Sequence, residues 1–169
     1  MAGKDVDIEW RPFELRPEPQ PTLRPDGDYL QQAWARSVYP LAQRLGIEIH
    51  LQPVTPQPHT HLAWEGFQFA RERGAGTAYN HRVLEAFFRN GLDIGDPAVL
   101  SRLAADVGLD PTGFREALDG RQYWEAHQAA LREAYGRGLT GVPAFEIGGR
   151  LLVGLQPRDR LEAAIAAAA

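Results

Sequence analysis

Cysteine is absent from all 169 residues, and that one absence removes several chemistries together. No disulfide, thiolate nucleophile, zinc–thiolate site or iron–sulfur cluster can be built from this chain. An excess of positive charge is missing too. With 18 Lys and Arg against 22 Asp and Glu, the net charge is −4. There is no basic field to hold nucleic acid or an anionic membrane. No apolar run approaches the roughly 20 residues that a bilayer span requires. The first ten residues are polar and charged and lack the apolar stretch of a signal peptide, so the expected location is the cytoplasm. No phosphate-cradling glycine loop is present, and the spacing supports no Ser-His-Asp grouping. No cofactor is expected.

What remains is an ordinary globular composition, 44% hydrophobic and 24% charged. The length fits one domain, or one domain with a subdomain inserted into it. Residues 5–10 alternate, with Val6, Ile8 and Trp10 on one face and Asp5, Asp7 and Glu9 on the other. That pattern predicts a strand with one wet face. Pro12, Pro17, Pro19, Pro21 and Pro25 follow and enforce an extended connector.

Asp26-Gly27-Asp28 opens a helix expected to run to about residue 44 and to stop at Gly46. Leu30, Trp34, Val38, Leu41 and Leu45 form its apolar stripe, and Pro40 should kink or split it. A short apolar alternation covers 47–51, and a second proline-rich loop covers 53–58. From residue 60 to the region of Gly138 the pattern is nearly all helix. Segments 60–73, 77–89, 96–107, 110–118 and 120–136 are expected, the last with Tyr123, His127, Ala130, Leu131 and Ala134 toward the core. Asp96-Pro97 and Asp110-Pro111 place a capping carboxylate before a proline at the first helical position. The chain then changes character. Residues 142–147 read as a strand, Gly148-Gly149 as a two-residue hairpin turn and 150–153 as the return strand. A final helix is expected over 157–167. Strands flanking a helical block suggest a sheet with a helical subdomain inserted between its halves.

The segment Gly138-Leu139-Thr140-Gly141-Val142-Pro143-Ala144-Phe145-Glu146-Ile147-Gly148-Gly149-Arg150 is the most specific feature. It resembles the cis-proline strand and β-hairpin of thioredoxin-fold oxidoreductases of the DsbA family. Trp10-Arg11-Pro12-Phe13-Glu14-Leu15 resembles the strand and loop after the first helix in FrnE-like members. Residues from Ala86-Phe87-Phe88 through Asn90-Gly91, Asp93-Ile94, Asp96-Pro97 and Leu100 resemble their inserted helical subdomain.

The resemblance implies an α/β fold: a thioredoxin-like sheet with an inserted all-α subdomain, N-terminally truncated. It divides the chain into 1–51 (N-terminal thioredoxin-like part and connecting helix), 52–137 (inserted helices) and 138–169 (cis-proline strand, hairpin and final helix). It implies thiol–disulfide exchange as the family activity, with an extended peptide or protein thiol as substrate. Thr140, Gly141, Val142 and Pro143 would be the substrate-binding loop, with a cis bond before Pro143. No catalytic residue carries over. The family's first strand, its Cys-x-x-Cys motif and first helix have no counterpart after Met1, and no serine substitutes for the motif. The expected origin is a misassigned start or a shortened chain. The missing strand lies inside the sheet in the family, so re-pairing of the sheet or a homodimer is expected. A non-catalytic peptide- or partner-binding module is the alternative.

His59 and His61, with Glu65 four residues further on, are the only histidine grouping with metal-like spacing. Catalytic zinc needs three protein ligands and a supporting shell, and the simpler reading is a polar helix entry capped by His59 or Thr60. No metal site is assigned. His50, His81 and His127 stand alone in the sequence. Trp10, Trp34, Trp64, Trp124, Phe67, Phe69, Phe87 and Phe88 read as core or as lining of a groove between sheet and helices.

Overall fold

A computed structural model describes residues 6–168. Four helices build the main core, α3 (His61–Glu72), α4 (Gly76–Phe88), α5 (Pro97–Asp106) and α6 (Pro111–Asp119), and α7 (Trp124–Gly136) packs against α3. Asp96 caps α5 by accepting from the Ala98 N–H at 2.7 Å, and Asp110 caps α6 by accepting from Thr112 and Gly113. Thr60 stands at the N-cap of α3 without a side-chain capping bond. Tyr79, Leu100, Leu103, Phe114 and Leu118 are fully buried between these helices. The packing is tight at Gly66, where a Cβ would lie 2.5 Å from both the Phe114 ring and the Tyr79 hydroxyl.

The helix expected to begin at residue 26 is divided. It comprises α1 (Asp28–Ala33), a π turn (Trp34–Val38) and α2 (Tyr39–Leu45). Pro40 follows the π turn directly, at the second residue of α2. The wide turn accommodates the ring where an α-helical carbonyl would collide with it. A π turn also rotates the following face by about one residue. Leu30 and Trp34 are buried as expected, but beyond the turn Ala42 is the buried residue and Leu45 is 52% exposed.

The strand expected at 5–10 does not form over its described part; Asp5 lies outside the described residues. Residues 6–10 have no regular secondary structure and no ladder partner among the described residues. Trp10 instead packs edge-on against His81, at 5.5 Å between ring centroids, and so binds the helical block. The 47–51 alternation is irregular, tied to α4 by the His50 N–H donating to the Phe88 carbonyl. Helix α7 starts at Trp124 rather than residue 120, because the turn that closes α6 places Arg121 in the left-handed region (φ +50°). Its N–H reaches the Leu118 carbonyl and that of Gln122 the Ala117 carbonyl, a closing pattern that usually recruits glycine.

The sheet is a two-stranded antiparallel hairpin of β1 (Ala144–Ile147) and β2 (Arg150–Val153), in register Ala144↔Val153 through Ile147↔Arg150. Gly148 and Gly149 both take positive φ, as a tight right-twisting hairpin turn requires. Helix α8 (Arg158–Ala168) packs on β1. None of its residues is buried, and Leu152 is the buried residue of the hairpin. No helix among the described residues is long and apolar enough to cross a membrane.

Candidate functional site

Thr140, Gly141, Val142 and Pro143 lie together between α7 and β1. Helix α7 closes at Gly138 (φ +76°), whose N–H bonds the Tyr135 carbonyl while the Leu139 N–H bonds that of Ala134. The chain then runs to Val142, which is 53% exposed, and to a cis Val142–Pro143 bond. The Pro143 carbonyl accepts from the Gly154 N–H at 2.8 Å. That bond fixes the alternation of the hairpin. Pairs 145/152 and 147/150 exchange hydrogen bonds and Pro143, which has no N–H, only accepts from Gly154, so the N–H and C=O groups of Ala144 and Glu146 point away from β2. Among the described residues nothing pairs with the edge leaving the loop, which leaves it open to an added strand.

A chain of ion pairs holds this loop to the rest of the molecule. Arg137 at the end of α7 pairs with Glu146 on β1 and with Glu133 at 2.7 Å. Glu133 also accepts from Arg11 at 2.8 Å, and Arg11 reaches Glu9 at 3.2 Å. The hydrogen bond from Arg137, with the nearby Arg11 charge, holds the Glu133 carboxyl below its usual range. The bond to Glu9 and the neighbouring carboxylates raise the Arg11 guanidinium.

Beside this ladder, the proline-rich connector is fastened by three histidines on alternate residues. Glu14 pairs with His127 Nε2 at 2.6 Å, and both side chains are buried. The Arg16 carbonyl meets His59 Nδ1 at 3.2 Å. Glu18 lies 4.0 Å from His61 Nδ1. The Tyr135 hydroxyl donates to the Glu14 carbonyl, and its ring meets Phe13 edge-on at 5.6 Å between centroids. The connector is not extended here: Leu15 and Arg16 form a bend, and the Gln20 N–H donating to the Pro17 carbonyl closes a turn, an irregular path that brings 14, 16 and 18 to the histidines. Burial, together with the Arg121 charge, lowers the His61 imidazole below its ordinary pKa, against the opposing carboxylates of Glu18, Glu14 and Glu65.

Glu65 is not available to join His59 and His61 as a ligand. It is fully buried and accepts two-pronged hydrogen bonds from Arg121, at 2.8 to 3.1 Å. The guanidinium in turn lies 4.7 Å above the Trp124 ring. Among the described residues no three metal-ligating side chains converge. Nothing in the sequence pointed to the Glu14–His127 pair or to Arg121 as the partner of Glu65. The partners lie 113 and 56 residues apart, and no local periodicity signals such contacts. Trp34, Phe67 and Phe69 are core, while Trp124 is on the surface and 36% exposed.

Comparison with known proteins agrees with this geometry. An uncharacterised Bacillus subtilis protein, YwbO, is 46% identical over 167 residues, covering 98% of this chain and 84% of YwbO. The crystal structure of a probable DsbA oxidoreductase from Streptomyces coelicolor superposes with a TM-score of 0.77 at 25% identity, over 94% of this chain and 73% of that one. A 2-hydroxychromene-2-carboxylate isomerase shares the fold at a TM-score of 0.64 and 23% identity, over 83% of this chain and 64% of the isomerase. The sequence model of the DSBA-like thioredoxin domain matches residues 2–166. A mostly helical α/β chain with this loop and hairpin, matched over nearly its whole length, belongs to the DSBA-like thioredoxin domain family.

Proposed function

We propose that the chain is the polypeptide-holding part of a DsbA-like thiol–disulfide oxidoreductase, acting in the cytoplasm on extended polypeptides, with the sulfur chemistry supplied from outside this chain. The observation that carries the reading is the β1 edge beside Thr140–Pro143, where the backbone groups of Ala144 and Glu146 have no partner among the described residues. An extended peptide adds to such an edge through main-chain hydrogen bonds, largely independent of sequence. Val142, exposed at the start of the edge, offers an apolar contact. The lack of cysteine means that bound disulfides leave unchanged when this chain acts alone.

Fluorescence anisotropy with a labelled, unfolded, cysteine-bearing peptide tests the reading. Binding is expected, and Ala144→Pro should weaken it at least tenfold by removing one outward N–H while sparing the hairpin's own bonds. The chain alone should leave a peptide disulfide intact. Absence of peptide binding by the folded protein refutes the proposal. The absent cysteine also favours a second reading, a binding module with no redox role. The two separate when a DsbA-type strand–Cys-x-x-Cys–helix fragment is added in trans: restored exchange supports the first, and binding without exchange supports the second.

A further inference from the structure

We propose that two copies of this chain pair about a twofold axis through the bare face of the C-terminal hairpin and the groove between α2 and α8. Val142, Leu151, Val153 and Leu155 occupy alternate positions, so they share one face of the hairpin. They are 53%, 37%, 50% and 51% exposed, and Leu45 across the groove and Ile47 two residues further along the chain are 52% and 51% exposed. Leu45, Leu155, Pro157 and Leu161 line an apolar hollow of about 420 Å³ that continues this face.

Two physical arguments say that the face is covered in solution. A two-stranded hairpin is at best marginal alone, and an isolated helix shorter than about 12 to 15 residues is marginal in water. Here the hairpin and the 11-residue α8 pack on each other with only Leu152 buried. Neither packs its backbone closely against α1–α7. The six exposed apolar residues together present on the order of 500 Å², near the upper limit of what a monomer leaves bare.

The size and chemistry of the face select a second copy as its occupant. Joining two such faces removes about 1,000 Å² of apolar surface, close to the ~1,200 Å² at which specific interfaces begin once a polar rim is counted. A twofold interface sets the same patch against itself, so it must be self-complementary. This patch is: its charged members, Glu146 and Arg158, are already paired within the same chain, with Arg137 and with Glu162. It needs no countercharge from a partner, and an overall charge of −4 does not act across it. The face meets the peptide-binding loop only at Val142, while the outward backbone groups of β1 lie at the strand's edge, so substitutions at Val153 and Leu155 test pairing without touching that edge.

Sedimentation velocity from 1 to 100 µM tests the pairing. The wild type is expected to move toward twice the monomer mass as concentration rises. Val153→Glu with Leu155→Arg is expected to hold it monomeric with an unchanged far-UV circular dichroism spectrum. Because the chain has no cysteine, one introduced thiol reports its own surroundings. Val153→Cys should become protected from alkylation as concentration rises, whereas Ala129→Cys, on the exposed side of α7, should not. A wild type monomeric at 100 µM overturns the proposal. So does a dimer that survives the double substitution, or one that leaves Val153→Cys fully reactive. Peptide binding retained by the monomeric variant leaves the proposed function standing while the pairing is judged on its own.

Discussion

Arg121 allows two opposed effects to be weighed at one residue. Its backbone sits at φ +50°, where a non-glycine residue carries strain of about 1 to 2 kcal/mol. Its side chain supplies the hydrogen-bonding partner of the fully buried Glu65 carboxylate. Arg121→Gly relieves the strain and removes the partner. Stripping the partner from a fully buried charge costs roughly 3 to 5 kcal/mol. Arg121 is 42% exposed, so water reaches the vacated position and the lower end, about 3 kcal/mol, applies. Arg121→Ala, which keeps the strain, should then cost about 3 kcal/mol, and Arg121→Gly about 2. Urea unfolding followed by tryptophan fluorescence measures both. For a domain of this size the alanine variant should melt about 6 to 12 °C lower. Adding Glu65→Met to Arg121→Gly should restore most of the loss, since a packed apolar side chain replaces a buried ion without penalty. A glycine variant as stable as the wild type would show that the buried carboxylate does not depend on its partner.

Three further outcomes follow from the same contacts. Gly66→Ala drives a methyl to 2.5 Å from Phe114 and Tyr79, so overpacking should cost about 1 to 3 kcal/mol; a neutral result in thermal melts would mean that this core yields. Glu14→Gln and His127→Leu should each destabilise while the double variant costs less than their sum, because each single change strands the other member of a buried pair; strict additivity in a double-mutant cycle would contradict that coupling. His61 binds its proton less readily in the fold than in the unfolded chain. Its contribution to stability is therefore complete above the unfolded pKa of about 6.5 and is lost as pH falls toward and through the lower folded value. Between pH 7.5 and 5 the wild type should lose more stability than His61→Gln, and equal losses would remove His61 as the cause.

The sequence determined whatever depends on neighbours along the chain. The Asp-Pro pairs set the starts of α5 and α6 because capping and proline geometry act within one turn. Gly148-Gly149 set the hairpin, since only residues tolerant of positive φ close a two-residue loop. The segment around Pro143 was specific enough to indicate the family. The zero cysteine count removed sulfur chemistry outright. Tertiary structure decided what depends on residues distant in sequence. A strand needs a ladder partner as well as an alternating pattern, and residues 6–10 have none among the described residues, so Trp10 docks on the helices instead. Pro40 signalled an irregularity, but the π turn and the face it rotates arise from packing. His127, alone in the sequence, and the His59/His61 grouping became fasteners only when the fold laid Glu14, Arg16 and Glu18 across them. Burial and distant pairing are properties of the assembled chain, and a linear pattern carries no distance between residues 14 and 127.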